Sequence, residues 1–214
     1  LGALIMVHGD DKGLRIPPNI APIQIVIIPI YKSKEDFNTI NTYLEPIIND
    51  CKNHDISYYL DDRDTLSPGF KFNEWEMKGV PLRIEVGMRD VENNNIVMVR
   101  RDNSEKLTYN FEETFTIIKE KLIDIQESLY KQALNFRNEN TYIVDNFKSF
   151  KEIIDTKGGF LQCAWDGNQE TEKLIKKETN ATIRCIIKKI EDPNIRCVYS
   201  GSPANFEVIF SKAY

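Results

Sequence analysis

The sequence predicts an α/β domain with a mixed sheet, followed by a small α+β module. The first observation is a continuous β-branched run from Ile23 to Ile30, typical of a strand buried on both faces. The second is the order strand, helix, strand, because strands joined through a helix of this length pair in parallel. The third is a change from about Asn138, where shorter elements replace the longer ones.

Bulk composition limits the function classes. The 214 residues are 41% hydrophobic and 29% charged, which allows a sizeable core, and no apolar run is long enough to span a membrane. The four cysteines form no CxxC pair, so we expect free thiols and a cytoplasmic protein. A net charge of −5 argues against an extensive polyanion-binding surface, so any nucleic-acid site must be small and specific.

The chain opens on LGALIMVHGD, an apolar run that has no capping residue ahead of it and ends at Gly9. This pattern predicts the second half of a helix, so we expect the sequence to be a piece of a longer protein. The stretch from Gly9 to Pro22 has the Pro, Gly and charge content of an extended linker. We therefore predict a boundary segment over 1–22, an α/β domain over 23–128 and a terminal module over 129–214.

Ser33 and Asp36 form a predicted capping box for the first long helix. Apolar residues follow at helical spacing as far as Cys51, and a kink is expected at Pro46. The next strand is predicted over Ile56 to Leu60.

The following helix is predicted between the N-cap Ser67 and Gly79. A strand from Leu82 to Met88 then pairs antiparallel with Asn95 to Asp102 through an asparagine-rich turn, so the sheet is mixed. A long amphipathic helix starts at Asn110.

The terminal module is predicted to contain an Asp145-capped helix, a break at Gly158 and Gly159, and a short helix near Lys173 to Glu178. Three short strands are expected near Ile183, Val198 and Val208.

The strand after Gly79 carries both signs of charge on the face that we expect to be exposed. An arginine fork donates hydrogen bonds and a carboxylate accepts them, so together they can bind guanine, which offers acceptors at O6 and N7 and donors at N1 and N2. The alternative is a set of solvated cross-strand ion pairs, each worth about 0.2–1 kcal/mol. The charged residues on this face are Arg83, Glu85 and Arg89, and Glu76 lies just upstream of the strand.

Two other clusters allow alternative interpretations. The aromatic residues of the helix after Ser67 could stack on bases, but helical spacing favours packing for at least two of Phe70, Phe72 and Trp75. The acidic residues at the preceding strand end could hold a metal, but the absence of histidine favours a solvated loop for Asp61, Asp62 and Asp64.

The stretches MVHGDDKGLRIPPNIAPIQIVIIP, DDRDTLSPGFKFNEWEMKGVPLRIEVGMRD and FSKAY closely resemble prolyl-tRNA synthetases of the form that carries a C-terminal extension. The resemblance runs over the whole chain. It implies that residues 1–8 are the tail of the helix after the class II motif 3 strand. It also implies that 23–128 hold a class IIa anticodon-binding domain and 129–214 the family's terminal module.

The resemblance also implies roles for individual residues. Glu76 and Arg83 match base-reading positions for the second and third anticodon bases, which are both guanine in proline tRNAs. Arg89 and Asp90 match the basic and acidic pair that follows the strand. Arg100 and Lys106 are weaker candidates, as phosphate contacts or solubilising charges.

The family joins proline to proline tRNA with ATP and magnesium, through motifs that the resemblance places upstream of Leu1. We therefore expect no catalytic residue and no bound cofactor in this chain, and a homodimer when the catalytic domain is present. The alternative is a free-standing adaptor that uses the same fold to bind RNA or a protein.

Zinc-bearing relatives hold the metal through a Cys-x4-Cys pair and a Cys-x2-Cys pair. Aligned on LIKKETNATIRC, these positions are Asp166, Thr171, Cys197 and Ser200. Hydroxyl groups are poor zinc ligands, so we expect no zinc. The resemblance also implies that the carboxylate of Tyr214 points toward the catalytic domain.

Overall fold

The chain is described by a computed structural model over residues 2–212, in two units that divide between Ala133 and Leu134. The expectation for Tyr214 lies outside the described residues. Within 2–212, no helix is both long and apolar enough to cross a membrane. The predicted domain limits at residues 22 and 128 stay predictions.

The first unit holds a five-stranded sheet in the order β2-β1-β3-β4-β5. Strand β1 runs parallel to β2 and β3, whereas the β3/β4 and β4/β5 pairs are antiparallel. The predicted mixed sheet is therefore confirmed. In chain order the elements are α1 (Gly2–His8), β1 (Ile25–Ile30), α2 (Lys34–Asn53), β2 (Tyr58–Leu60), α3 (Pro68–Lys78), β3 (Leu82–Gly87), α4 (Met88–Glu92), β4 (Asn95–Arg100), β5 (Lys106–Asn110) and α5 (Thr114–Glu139).

Apolar side chains cover both faces of the centre of this sheet. Ile25 and Ile27 of β1 belong to a large core that α2 and α5 complete. Val26 and Ile28 point to the other face and pack with Trp75 of α3. Strand β1 is therefore buried on both faces, as its β-branched run predicts.

Helix α2 begins with the predicted capping box, in which Ser33 and Asp36 satisfy each other's backbone amides. The helix continues through Pro46 to Asn53 without interruption.

The prediction for the end of β3 was wrong. The strand stops at Gly87, and Met88 begins the short helix α4. The Asp90 carboxylate accepts a hydrogen bond of 2.7 Å from the Gly87 amide, which caps the helix. Strand β5 was not predicted, because its sequence KLTYN is short and mostly exposed.

The stretch predicted as a linker lies against α3 by backbone hydrogen bonds. The Leu14 amide donates to the Met77 carbonyl at 3.0 Å, and the Ile16 amide donates to the Gly79 carbonyl at 3.1 Å. Gly79 ends α3 in the left-handed conformation, and a Cβ there would lie 2.6 Å from the Leu14 carbonyl oxygen. Glycine at this position therefore allows both the helix end and the close approach of the segment.

The second unit holds a sheet in the order β6-β7-β9-β8, with β6 parallel to β7 and the other pairs antiparallel. Its core includes Phe150, Leu161, Ile175 and Phe210. This small α+β module confirms the second half of the predicted fold class. Its elements are β6 (Thr141–Ile143), α6 (Phe147–Thr156), β7 (Phe160–Trp165), α7 (Gln169–Thr179), β8 (Ala181–Lys189) and β9 (Phe206–Lys212).

Two local predictions in this unit were wrong. Asn146, not Asp145, caps α6, because its side chain accepts a hydrogen bond from the Ser149 amide at 2.9 Å. Val198 lies in a turn, not in a strand. Strands β6 and β7 were not predicted. All four cysteines are free thiols, in agreement with their spacing.

Candidate nucleic-acid interface

The predicted base-reading residues lie on the face of the sheet that α3 partly covers. Arg83 is the neighbour of Val26 on β1 and of Val99 on β4, and Val99 is in turn the neighbour of Lys106 on β5. Since side chains alternate along a strand, Glu85 points to the same face as Arg83. Strand order therefore brings Arg83, Glu85 and Lys106 to one area of the sheet.

The guanidinium of Arg83 has a fixed position. Its Nε donates to Oε1 of Glu85 at 2.9 Å, and its Nη1 lies 3.5 Å from the Phe72 carbonyl oxygen. Its Cζ is also 4.5 Å from the centre of the Phe72 ring, which is a cation–π distance. The outer part of the arginine fork is held at the surface by these contacts.

Glu85 is buried, contrary to the exposed edge that the alternating charges predicted. Only 4% of the residue is exposed, because β3 is the central strand of the sheet and α3 lies over this face. Its Oε2 accepts a hydrogen bond from Nζ of Lys106 at 2.7 Å, and its Oε1 accepts from Arg83. The pairs are therefore more desolvated than the solvated cross-strand pairs of the alternative interpretation.

Glu76 reaches the same area from α3. Its carboxylate is 3.0 Å from Nζ of Lys12, which belongs to the turn after α1. Its backbone carbonyl accepts a hydrogen bond from Nε of Arg101 at 2.8 Å. Nη1 and Nη2 of Arg101 also donate to the two carboxylate oxygens of Asp10, at 2.8 and 2.6 Å. These hydrogen bonds are the main reason why the pKa of Asp10 is lowered to about 2, although burial acts in the opposite direction.

Glu76 and Arg83 line a cleft of about 230 Å³, whereas Glu85 lies beneath its lining and contacts two of the lining cations. The cations that line the cleft differ in how firmly they are held. Arg100 donates two hydrogen bonds, of 2.9 and 2.8 Å, to Asp102, whereas 59% of the Lys106 side chain is exposed. The lining cations are Lys12, Arg83, Arg100, Arg101 and Lys106. Such a surface can bind a phosphate backbone, and Glu76 adds an acceptor for base donors.

Sequence reasoning missed Lys12 and Arg101 as parts of this cleft. Both lie outside the strand that drew attention, and Lys12 comes from a segment that was predicted to be a linker. The signal was the sequence GDDKG, in which a lysine sits between turn-forming residues.

Arg89 and Asp90 lie on α4 and are not among the residues that line this cleft. One carboxylate oxygen of Asp90 caps α4 through the Gly87 amide, while Arg89 is exposed. The structure therefore brings Glu76 and Arg83 together and leaves Arg89 and Asp90 apart from them.

The aromatic residues of α3 divide as predicted. Trp75 is buried and Phe72 packs beside it, whereas Phe70 is 55% exposed. The prediction of a solvated acidic loop was wrong for Asp61, which is fully buried.

The carboxylate of Asp61 accepts hydrogen bonds from Nε1 of Trp75 at 2.8 Å and from Arg63 at 2.8 and 2.7 Å. Nζ of the buried Lys71 lies 3.7 Å from it. Burial alone would raise the pKa of Asp61, but the hydrogen bonds and the two cations outweigh it and lower the pKa to about 2. The protein itself therefore supplies the partners of the Asp61 carboxylate.

The four zinc-equivalent positions of the second unit also come together. Thr171 Oγ1 and Ser200 Oγ donate to the same carboxylate oxygen of Asp166, at 2.8 and 2.7 Å. The Asn168 amide donates to the other oxygen at 3.0 Å, and the Cys197 side chain is the smallest of the causes that lower the pKa of this carboxyl group. These bonds outweigh the effect of burial and lower the pKa of Asp166.

This donor set does not fit a structural zinc. It offers one carboxylate, one thiol and two hydroxyls, and the described residues 2–212 contain no group of three or more His, Cys, Asp or Glu side chains that could hold a metal. The hydroxyls are instead satisfied by Asp166. The absence of zinc stays a prediction that rests on this chemistry.

Comparison with known proteins gives two family matches. Residues 24–121 match the family described as Anticodon binding domain, and residues 147–214 match the family described as Prolyl-tRNA synthetase, C-terminal. These matches confirm the resemblance found in the sequence.

Curated relatives match over the entire chain. Proline–tRNA ligase of Cytophaga hutchinsonii is 46% identical over 215 residues, and those of Amoebophilus asiaticus and Phocaeicola vulgatus are each 45% identical, over 214 and 217 residues. All of this chain is covered in each comparison, but only 44% of each relative. The chain therefore spans less than half the length of these relatives.

Proposed function

The chain belongs to the prolyl-tRNA synthetase family, and we propose that its first unit recognises the anticodon of proline tRNA. The observation that carries this proposal is the placement of Glu76 and Arg83 at one cleft. A carboxylate accepts hydrogen bonds from N1 and N2 of guanine, and an arginine donates to O6 or N7. Adenine offers a different donor and acceptor pattern and would bind this pair less well.

The remaining cations of the cleft support binding of the RNA backbone. The Lys106 side chain is 59% exposed, and Lys12 can exchange its contact with Glu76 for a phosphate once a base occupies the carboxylate. Arg101 is fully used by Asp10 and by the Glu76 carbonyl, so its role is to hold the cleft wall. These assignments distinguish base contacts from positioning contacts.

Arg89 and Asp90 remain proposed anticodon contacts on the strength of the family motif. Arg89 is exposed on α4 and can reach a nucleotide outside the cleft. Asp90 keeps one carboxylate oxygen for RNA while the other caps α4. Their contacts would be with a base or backbone next to the one that Glu76 and Arg83 bind.

For the whole enzyme we propose ATP-dependent joining of proline to its tRNA, in the cytoplasm and as a homodimer. The relatives named proline–tRNA ligase support this proposal, and the reaction would take place in the part of the enzyme that this chain does not span. ATP and Mg²⁺ would act there. The cleft of the first unit supplies recognition only.

Arg83→Ala is expected to weaken binding of a proline tRNA anticodon stem-loop by about 1–3 kcal/mol, the usual value of a bidentate base contact. The loss should be larger for a hairpin with guanine at the second and third anticodon positions than for one with adenine there. Fluorescence anisotropy with both hairpins at one salt concentration measures both affinities.

Arg196→Ala is the matched control, because it removes the same charge from an exposed position in the second unit. It should leave the ratio of the two affinities unchanged. Arg83→Lys keeps the charge but loses the fork, so it should lose most of the guanine preference. Equal weakening of both hairpins by Arg83→Ala would show that Arg83 contacts only the backbone and would contradict the proposal.

A further inference from the structure

We propose that Glu85 is a positioning residue for guanine recognition, acting through Arg83. This inference rests on the proposed function, since it concerns the geometry of the same cleft. It assigns a role to a buried carboxylate that would not itself touch RNA.

The burial of Glu85 is the first argument. The residue is 4% exposed on the central strand, and an ionised carboxylate is retained at such a position only when its oxygens are paired. Each oxygen has its own cation, Arg83 at 2.9 Å and Lys106 at 2.7 Å. Glu85 therefore determines where two of the cleft cations lie.

The atoms that Arg83 uses are the second argument. Nε donates to Glu85, and the plane of the guanidinium is held beside the Phe72 ring. Within residues 2–212, Nη2 has no hydrogen-bond partner. Glu85 thus accepts the hydrogen bond from Nε, the nitrogen nearest the Arg83 side-chain stem, and leaves the terminal nitrogen Nη2 to donate to a base.

The third argument is conformational. An arginine side chain has many rotamers, and binding a base in one of them costs conformational entropy. The Glu85 carboxylate and the Phe72 ring restrict Arg83 before any ligand arrives, so less entropy is lost on binding. Without the charge of Glu85, Arg83 would leave this orientation and contact bases and phosphates less selectively.

The experiment compares affinities of the 214-residue chain for two anticodon hairpins, one with guanine and one with adenine at the second and third positions. Glu85→Gln keeps the size of the side chain but removes the charge that holds Arg83. The preference for guanine is expected to fall about 5- to 10-fold, as for the loss of one positioned hydrogen bond. In the Arg83→Ala background, Glu85→Gln should cause no further fall.

Lys106→Ala tests the other cation on Glu85. Because a phosphate contact carries no sequence information, this variant should weaken both hairpins and change their ratio by less than about twofold. If Lys106→Ala changed the ratio of the two hairpin affinities as much as Glu85→Gln does, the loss of guanine preference would be due to Lys106, and the positioning of Arg83 by Glu85 would be refuted. This variant therefore distinguishes the two cations that contact the Glu85 carboxylate.

The outcomes separate this inference from the proposed function. If Arg83→Ala leaves the guanine preference intact, the proposed function fails. If Arg83→Ala lowers the preference and Glu85→Gln does not, only the positioning role fails.

Thermal unfolding shows whether Glu85→Gln is folded. If it is not, Glu85→Asp takes its place, because the shorter arm withdraws the carboxylate from Arg83 while it keeps the charge. Glu85→Asp should also lower the guanine preference, and an unchanged preference would overturn the inference.

Discussion

Asp61→Ala is expected to destabilise the first unit by about 3–5 kcal/mol, the cost of removing one member of a buried charge cluster. Without the carboxylate, the indole N–H of Trp75 loses its acceptor inside the protein. Lys71 is only 3% exposed and would lose the carboxylate that lies 3.7 Å from its Nζ. Arg63 would lose its bidentate partner as well.

Urea unfolding in a Trp165→Phe background measures this effect, because Trp75 is then the only tryptophan and its emission reports on the first unit. Trp165→Phe also removes a buried indole N–H that has no hydrogen-bond partner among residues 2–212. Asp62→Ala is the control, since Asp62 is exposed and its backbone carbonyl, not its carboxylate, accepts from Tyr31. A loss for Asp61→Ala no larger than that for Asp62→Ala would show that the buried cluster contributes little.

The same cluster predicts a loss of stability in acid. The folded pKa of Asp61 is about 2, below the 3.8 expected of a free aspartate. A carboxyl group whose folded pKa is depressed contributes stability above its unfolded pKa and loses it as the pH falls through the folded pKa. The first unit should therefore lose stability as Asp61 becomes protonated between about pH 4 and pH 2. The free energy of unfolding of Asp61→Ala should depend less on pH in that window.

Asp166→Ala is expected to destabilise the second unit by about 2–3 kcal/mol, because its carboxylate is a shared acceptor for several donors. Thr171 lies in the first turn of α7, and Ser200 lies in the turn over 198–200, ahead of β9. Asp166 therefore ties three separate stretches of the second unit together. Losing it would leave the partly buried Thr171 hydroxyl without its acceptor.

Hydrogen–deuterium exchange followed by mass spectrometry measures amide exchange in each unit separately. In Asp166→Ala, peptides from β7 and β9 should exchange faster, whereas the exchange rates of peptides from β1 and β3 should stay the same. Asp192→Ala is the control, because Asp192 accepts a hydrogen bond from the Asn194 amide in an exposed loop. Equal protection in the two variants would refute a structural role for Asp166.

Because the Thr171 and Ser200 hydroxyls both donate to Asp166, the structure also predicts whether the second unit binds zinc. Elemental analysis of the purified chain should find no zinc, whereas the triple variant D166C/T171C/S200C would add three thiols to that of Cys197 at the zinc-equivalent positions, of which Thr171 and Ser200 already contact Asp166. Four thiolates in a tetrahedron are the preferred structural zinc site, so this variant should bind one zinc. One zinc bound to the unaltered chain would contradict the fit argument.

Periodicity and capping predicted the elements that local chemistry determines. The β-branched run of β1, the capping box at Ser33 and the helix between Ser67 and Gly79 all formed as expected. The strand end at Gly87 did not, because the hydrogen bond from its amide to Asp90 competes with the apolar alternation that continues to Met88. Strand β6 was missed because it has only three residues. Strand β7 has six, but its sequence FLQCAW contains no β-branched residue, so the local pattern did not indicate a strand.

The sequence identified only some residues of the candidate site, and it did not predict how deeply they are buried. The alternation of charges identified Arg83 and Glu85, but burial of Glu85 depends on α3 covering a central strand, and strand order is not encoded in local pattern. Asp61 was misjudged for the same reason, since its partners Lys71 and Trp75 come from the next helix. Lys12 reaches the cleft only because backbone hydrogen bonds hold its segment against α3.

The two hydrogen bonds from Arg101 to Asp10 restrict the segment that carries Lys12. The turn that carries Lys12 is held at Asp10 and again where the Leu14 amide bonds to α3. His8, two residues ahead of Asp10, is held as well, because its carbonyl accepts a hydrogen bond from Nε of Arg15 at 3.0 Å. With both ends of the turn fixed, the ion pair between Lys12 and Glu76 forms with little further loss of backbone entropy.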